Sequence, residues 1–210
     1  MREICFLICV VAFLGLALGA HWVPYFSSDL EITLWLQSLT QPGMRALMIW
    51  LSVPGNGAWR PYVIAIIVYA ALFLVGKRRE AECGALSAFG GSLLSSFFKW
   101  LVDRPRPPIG LVRALAVIKN GSFPSGHVVH YVTFYGFWCC IVAGLIPHRL
   151  SRTCLQLFLG VLVLLVGASR IYLGAHWASD VIGGYLLGIL WLWLSVQVYR
   201  QRMDEPTMVK

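Results

Sequence analysis

Long apolar runs broken by short charged turns set the rhythm of this chain. The runs are Ile4–Ala20, Pro61–Val75, Ala81–Leu101, Val128–Ile146, Cys154–Ile171 and Trp177–Tyr199. Several approach the ~20 residues with which an α-helix crosses a bilayer. The pattern predicts an all-α, polytopic membrane protein with about six transmembrane helices in one bundle, and residues 1–210 form a single membrane-embedded domain. The third run is dense in Gly, Ala and Ser (Gly84, Ala85, Ser87, Ala88, Gly90, Gly91, Ser92), which lets helices approach closely. The first run also resembles a signal peptide with Ala17-Leu18-Gly19 as a cleavage site; a membrane span is the preferred reading. Between it and the second run the pattern is mixed. Asp29–Leu39 has a helical rhythm suited to the membrane interface, and Met44–Val53 is apolar but is broken by Pro54-Gly55-Asn56-Gly57.

Composition agrees with the pattern. Of 210 residues, 59% are hydrophobic and 12% charged, against about 25% charged in soluble domains. The net charge of +8 does not read as a nucleic-acid footprint, because the basic residues are spread over loops rather than gathered on one face. Six cysteines (Cys5, Cys9, Cys83, Cys139, Cys140, Cys154) lie within or beside apolar runs without metal-ligand spacing. They read as small buried hydrophobes.

With a cytoplasmic N-terminus and six spans, Arg2, Lys77, Arg78, Arg79, Arg149, Arg152, Arg200, Arg202 and Lys210 face the cytoplasm, as the positive-inside rule asks. The opposite face carries Arg45, Arg60, Lys99, Arg104, Arg106, Arg113, Lys119 and Arg170. That second basic face calls for an anion.

Three segments fall together there. One is Lys99-Trp-Leu-Val-Asp-Arg104-Pro-Arg106-Pro107, the next Pro124-Ser125-Gly126-His127, and the last runs from Ser169-Arg170 to His176 and Asp180. Ionisable groups at membrane depth are functional by default, because each is costly unpaired. Lys99, Arg106 and Arg170 offer positive charge, and an Arg fork matches phosphate oxygens. Ser125 and Gly126 open a helix, whose free N–H groups form an anion site. His176 and Asp180, four apart, share a face if the last helix starts early. The carboxylate then fixes one imidazole nitrogen as a donor and leaves the other nucleophilic. His127, from another segment, is placed to protonate a leaving oxygen. The set is an apparatus for phosphoryl transfer with no metal and no cofactor.

These segments resemble the three signature motifs of the type 2 phosphatidic acid phosphatase superfamily, which also includes bacterial lipid phosphatases, glucose-6-phosphatase and vanadium haloperoxidases. Lys, six residues, Arg-Pro corresponds to Lys99 through Arg106-Pro107; Pro-Ser-Gly-His to Pro124–His127; and Ser-Arg, five residues, His, three residues, Asp to Ser169-Arg170, His176 and Asp180. The resemblance covers 99–180. It implies that His176 is a nucleophile forming a phosphohistidine and that Asp180 orients it. His127 is the general acid and then the base, while Lys99, Arg106, Ser125, Gly126 and Arg170 bind phosphoryl oxygens. The substrate so implied is a lipid phosphate (undecaprenyl diphosphate, phosphatidylglycerophosphate or phosphatidic acid) met among membrane lipids at the extracytoplasmic face of the plasma (inner) membrane.

Two other readings use the same residues: a vanadate-dependent haloperoxidase, and a non-catalytic lipid-binding or transport protein that retains the site. Around the motifs, His130 is expected to pack or to tune His127. Arg104 is expected to touch phosphate or to pair with Asp103. His21 and His148 are expected to be incidental, and Trp191 and Trp193 to anchor the helix at the interface.

Overall fold

The computed structural model describes residues 2–56, 59–114 and 120–204; Lys119 and residues 205–210 lie outside the described residues. Among these, the chain forms α1 (Arg2–Trp22), α2 (Ser27–Ser38), α3 (Met44–Ser52), a 3₁₀ turn (Val53–Gly55), α4 (Arg60–Leu74), α5 (Arg78–Val102), α6 (Gly126–Leu145), α7 (Arg149–Tyr172) and α8 (Ala178–Asp204). Helix is what the composition demands, because a segment in hydrocarbon must satisfy every backbone N–H and C=O within itself. The helices α1, α5, α6, α7 and α8 are each long and apolar enough to cross a membrane, and the chain is an integral membrane protein. The expected second span is different. Helix α4 has 15 residues, a rise of about 22 Å, short of the ~30 Å hydrocarbon core. It reaches spanning length only together with Met44–Gly55, as a bent pair, and this gives up to six spans.

Helix α6 is central and packs against α5, α7 and α8. Close approach depends on small residues facing bulky ones. A Cβ on Gly91 of α5 would stand 2.6 Å from the Thr133 side chain, and one on Gly188 of α8 would stand 2.8 Å from Val132. The density of small residues in the third run is therefore a packing surface, as membrane helices require.

Three expectations change on this framework. Trp191 is not an interfacial anchor: its indole lies over Gly90, and its Nε1 donates to the carbonyls of Leu86 (3.3 Å) and Ser87 (3.0 Å) on α5. Of the cysteines only Cys83 is buried, while Cys5, Cys140 and Cys154 are exposed on helix surfaces; a thiol on an apolar helix face is as compatible with lipid as with a core. Helix α2 does form, but with its polar stripe inward. Asp29, Thr33 and Gln37, at four-residue spacing, are buried, and Ile32, Leu34 and Trp35 are exposed. The Gln37 amide donates to the carbonyls of Arg113 (2.9 Å) and Tyr172 (3.0 Å) and accepts from the Arg113 N–H (3.0 Å). It ties the loop after α5 to the end of α7.

Candidate active site

The three motif segments meet at one end of the bundle. Lys99 closes α5, Gly126 opens α6, and the link from α7 to α8 carries His176. That link turns at Gly174, whose φ of +65° suits glycine, and a Cβ there would lie 2.5 Å from the Arg113 carbonyl oxygen. The turn tucks His176 beneath the 103–114 loop, where it is 2% exposed.

His176 and Asp180 do not share a helical face, because α8 starts only at Ala178. They meet through the cap instead. The Asp180 carboxylate accepts the Trp177 N–H at 2.8 Å and the Ser122 hydroxyl, and its Oδ2 stands 3.6 Å from His176 Nδ1. Ser122 Oγ also lies 3.4 Å from Nδ1. The other ring nitrogen, Nε2, faces the guanidinium of Arg106, whose Nη1 is 3.1 Å away. An Arg N–H can only donate, so Nε2 carries the lone pair and Nδ1 the proton. Burial, and then the charges of Lys99, Arg106 and Arg170, hold the His176 pKa well below the usual imidazole range. The imidazole is therefore neutral and nucleophilic at neutral pH.

Asp180 is fully buried, and a buried carboxylate is tolerated only when paired. Its partner is Arg104, whose Nη1 donates to Asp180 Oδ1 at 2.7 Å and to Ser179 Oγ at 2.7 Å. Arg104 Nη2 donates to Asp29 Oδ2 at 2.9 Å, and Nε donates to the carbonyls of Val23 and Pro24. Asp29 in turn accepts from the Ser179 N–H (2.7 Å) and hydroxyl (2.8 Å). Arg104 thus pairs with neither phosphate nor Asp103; its guanidinium is sealed behind His176 and Asp180. Asp103 instead ends α5 in the left-handed region, at φ 45°, which turns the chain so that Arg104 points inward. Asp29, Ser122 and Ser179 belong to no motif, and only burial of the α2 polar stripe brings Asp29 here.

The cations surround a cavity of about 440 Å³ lined by Lys99, Arg106, Gly126, His127, Arg170 and His176 among others. Lys99 Nζ donates to the carbonyls of Gly121 (2.9 Å) and Ser122 (3.2 Å). Arg170 Nη1 donates to Ser52 Oγ at 3.1 Å, while its buried Nε has no partner among the described residues. Arg106 is braced by the Ala175 carbonyl (2.6 Å) and the Asn120 side chain (2.7 Å). Burial pushes its pKa down to about 10, with Asp180 opposing, so it stays a cation. Ser125 corrects one detail: its N–H is committed to the Asp180 carbonyl at 3.0 Å, but its buried hydroxyl has no partner among the described residues. Gly126 begins the helix proper and lines the cavity.

His127 lies on the same cavity, its Nε2 3.0 Å from Asn56 Oδ1. The 3₁₀ turn before Asn56 fits tightly, since a Cβ on Gly55 would meet the His127 ring at 2.6 Å. Asn56 escaped the sequence reading, because its only signal was a turn dipeptide. His130, stacked on Phe134 with ring centroids 5.5 Å apart, also reaches the cavity. His21 contacts the Val102 carbonyl, and His148 caps α7; neither lines the cavity. Among the described residues, no cluster of three or more His, Cys, Asp or Glu side chains is placed to hold a metal.

The sequence profile of the PAP2 superfamily matches residues 83–204, more than half of the chain and the part that carries this site. The chain belongs to the PAP2 superfamily. It is 28% identical over 183 residues to phosphatidylglycerophosphatase B of Bacillus subtilis, covering 87% of this chain and 88% of that one. It is also 28% identical over 160 residues to an undecaprenyl-diphosphatase of Sulfolobus acidocaldarius, covering 74% and 70%. The crystal structure of a transmembrane PAP2-type phosphatidylglycerolphosphate phosphatase from Bacillus subtilis superposes with a TM-score of 0.81 at 25% identity, over 96% of this chain and 98% of that one. The chain is a lipid phosphatase of this superfamily.

Proposed function

We propose that this PAP2 protein hydrolyses a lipid phosphate monoester or diphosphate through a phosphohistidine on His176. Its candidate substrates are undecaprenyl diphosphate, phosphatidylglycerophosphate and phosphatidic acid, the first two acted on by relatives of those names. The observation that carries the reading is the orientation of His176. Its Nε2 lone pair faces the cation-lined cavity at Arg106, while Nδ1 is turned to Ser122 and Asp180. A phosphoryl group entering the cavity takes the Arg106 contact from Nε2 and spreads its charge over Lys99, Arg106, Arg170, Ser125 and the start of α6. This fixed positive environment favours the charge of the transition state. Nε2 then bonds to phosphorus as the bond to the leaving oxygen breaks, and His127 gives that oxygen its proton. In the second step His127 takes a proton from water, the water oxygen bonds to phosphorus, and the phosphorus–nitrogen bond breaks to release phosphate. No step calls for a metal.

The site end of the bundle is the extracytoplasmic one of the plasma (inner) membrane in this reading. Support comes from the basic turns at the other end, around Lys77–Arg79 and Arg149–Arg152, which suit the cytoplasm.

Detergent-purified protein should release phosphate from at least one of the three lipids in the presence of EDTA, and rapid acid-free quenching should trap phosphate on His176. Bacterial spheroplasts expressing the protein should cleave a short-chain phosphatidic acid supplied outside, without lysis. Phosphate trapped on another residue or loss of activity in EDTA would refute the mechanism; activity that appears only on lysis would reverse the orientation.

A further inference from the structure

The cavity extends past the phosphoryl site. Beyond the cations it is lined by Ser92, Ser95, Ser96, Tyr62, Asn56 and His130. Two of these stand out. Ser95 Oγ and His130 Nδ1 are buried and have no hydrogen-bond partner among the described residues, and the residues are only 3% and 6% exposed. Ser92 and Ser96, by contrast, return their hydroxyls to helix carbonyls of α5. A buried polar atom without a partner costs free energy, and two on one cavity wall point to a ligand that supplies it.

Their positions say which part of the ligand. Ser95 precedes Lys99 by four residues on α5, so it lies on the same face one turn deeper. His130 follows His127 by three on α6, which runs the opposite way from the site, so it too lies one turn deeper. The two helices are adjacent here: a Cβ on Gly126 would stand 3.6 Å from Ser95 Oγ and 3.5 Å from Lys99 Cε. If His127 protonates the leaving oxygen, the next atoms of the leaving alcohol run along this wall. Its polar groups are hydroxyls, an amide and an imidazole; the lysine and arginines of the cavity all belong to the phosphoryl end.

We propose that Ser95 and His130 form a subsite for an uncharged hydrogen-bonding group on the leaving alcohol, a glycerol hydroxyl or an acyl ester carbonyl. The proposal rests on the phosphatase reading and narrows it: the substrate is a glycerol-based lipid phosphate. A polyprenyl monophosphate presents only hydrocarbon at this depth and leaves both groups unpaired. A polyprenyl diphosphate presents a second anion where the wall has no cation of its own.

The test compares kcat/KM in mixed micelles for phosphatidic acid, its dialkyl ether analogue, phosphatidylglycerophosphate, a polyprenyl monophosphate and a polyprenyl diphosphate. The wild-type protein should favour the glycerol esters over both polyprenyl substrates. A preference carried by phosphatidic acid over its ether analogue assigns the carbonyl, and one confined to phosphatidylglycerophosphate assigns the hydroxyl. In Ser95→Ala/His130→Phe the ratio of glycerol ester to polyprenyl monophosphate should fall about tenfold, since a site built to bond a polar group discriminates through the partners it leaves unpaired. Should that variant fail to fold, the wild-type ranking decides by itself. Equal turnover of polyprenyl and glycerol substrates by the wild type, or a ratio unmoved in a folded variant, would overturn the subsite while leaving the phosphatase reading intact. Absence of phosphate release from every lipid would overturn that reading and the subsite with it.

Discussion

The two histidines of the cavity are held in different ways. His176 stands on a finished structure. Asp180 behind it is fully buried and bonded by Arg104, Ser122 and Trp177, and Arg104 is bonded again by Asp29 and two carbonyls. Among the described residues, His127 has one polar side-chain partner, Asn56, on a short turn between α3 and α4. Around His127 lie groups that lack partners among the described residues: Ser125 Oγ, Ser95 Oγ and His130 Nδ1. His176, the proposed nucleophile, is thus oriented before any substrate arrives, whereas the side of His127, the proposed acid, is completed by what binds. Such a division suits the proposed chemistry. Attack on phosphorus is the same for every lipid phosphate, and the leaving group is where substrates differ.

The comparison breaks most visibly if the two histidines are interchangeable. His176→Ala should abolish turnover of every phosphate ester and all covalent intermediate. His127→Ala should lower kcat on alkyl phosphates by about 10²–10⁴-fold, the usual contribution of a positioned acid. With an aryl phosphate the leaving oxygen needs little proton help, so attack survives while water still lacks its base. Phosphohistidine should therefore accumulate in His127→Ala under rapid-quench mass spectrometry. Equal loss on alkyl and aryl substrates with no trapped intermediate would dissolve the distinction.

A smaller effect, on stability, tests the support of His176. Arg104→Met leaves Asp29 and Asp180 buried without their cation. Breaking a buried pair in this way costs about 3–5 kcal/mol, visible as a lowered thermal midpoint in detergent. Arg104→Met with Asp29→Leu should recover part of that loss but not kcat, because Asp180 is still unpaired. A surface-like response, below about 1 kcal/mol, would show that the network does not hold Asp180.

Arg104 also shows where sequence ceases to be legible. The five motif cations and histidines are near one another along short segments, and their spacing encodes their convergence once the spans are recognised. The apolar runs mark those spans because lipid accepts little else. Asp29 is 75 residues from Arg104, and its helix looked like an interfacial one, since in a membrane the buried side of a helix can be the polar side. Hydropathy alone does not say which side of α2 faces protein. Asn56 is hidden for another reason: a Pro-Gly-Asn turn signals a break in a helix, and nothing in it signals what the break comes to rest against. His176 and Asp180 do not share a helical face, because four-residue spacing fits a cap as well as a helix and α8 starts only at Ala178.

The smallest effect concerns the charge state of His176. Burial and the three cations keep its pKa well below the usual imidazole value, so the folded protein leaves it neutral. The unfolded chain takes up that proton near pH 6.5. As pH falls below 6.5 the unfolded state binds more protons than the folded one, and stability is lost progressively until the folded pKa is reached. Below pH 6.5 the loss from this residue is at most about 1.4 kcal/mol per pH unit, the slope of one proton. The stability present above pH 6.5 is not affected. His176→Asn removes the titrating group, so its thermal midpoint should fall less than that of the wild type between pH 7.5 and 5. Both proteins keep the other histidines, which makes the difference of the two curves specific to His176. Inorganic phosphate should weaken the difference, because an anion among Lys99, Arg106 and Arg170 offsets the charges that keep the imidazole neutral. Parallel curves in the absence of phosphate would mean that His176 titrates as freely as an exposed histidine, and its isolation behind the cation nest would not hold.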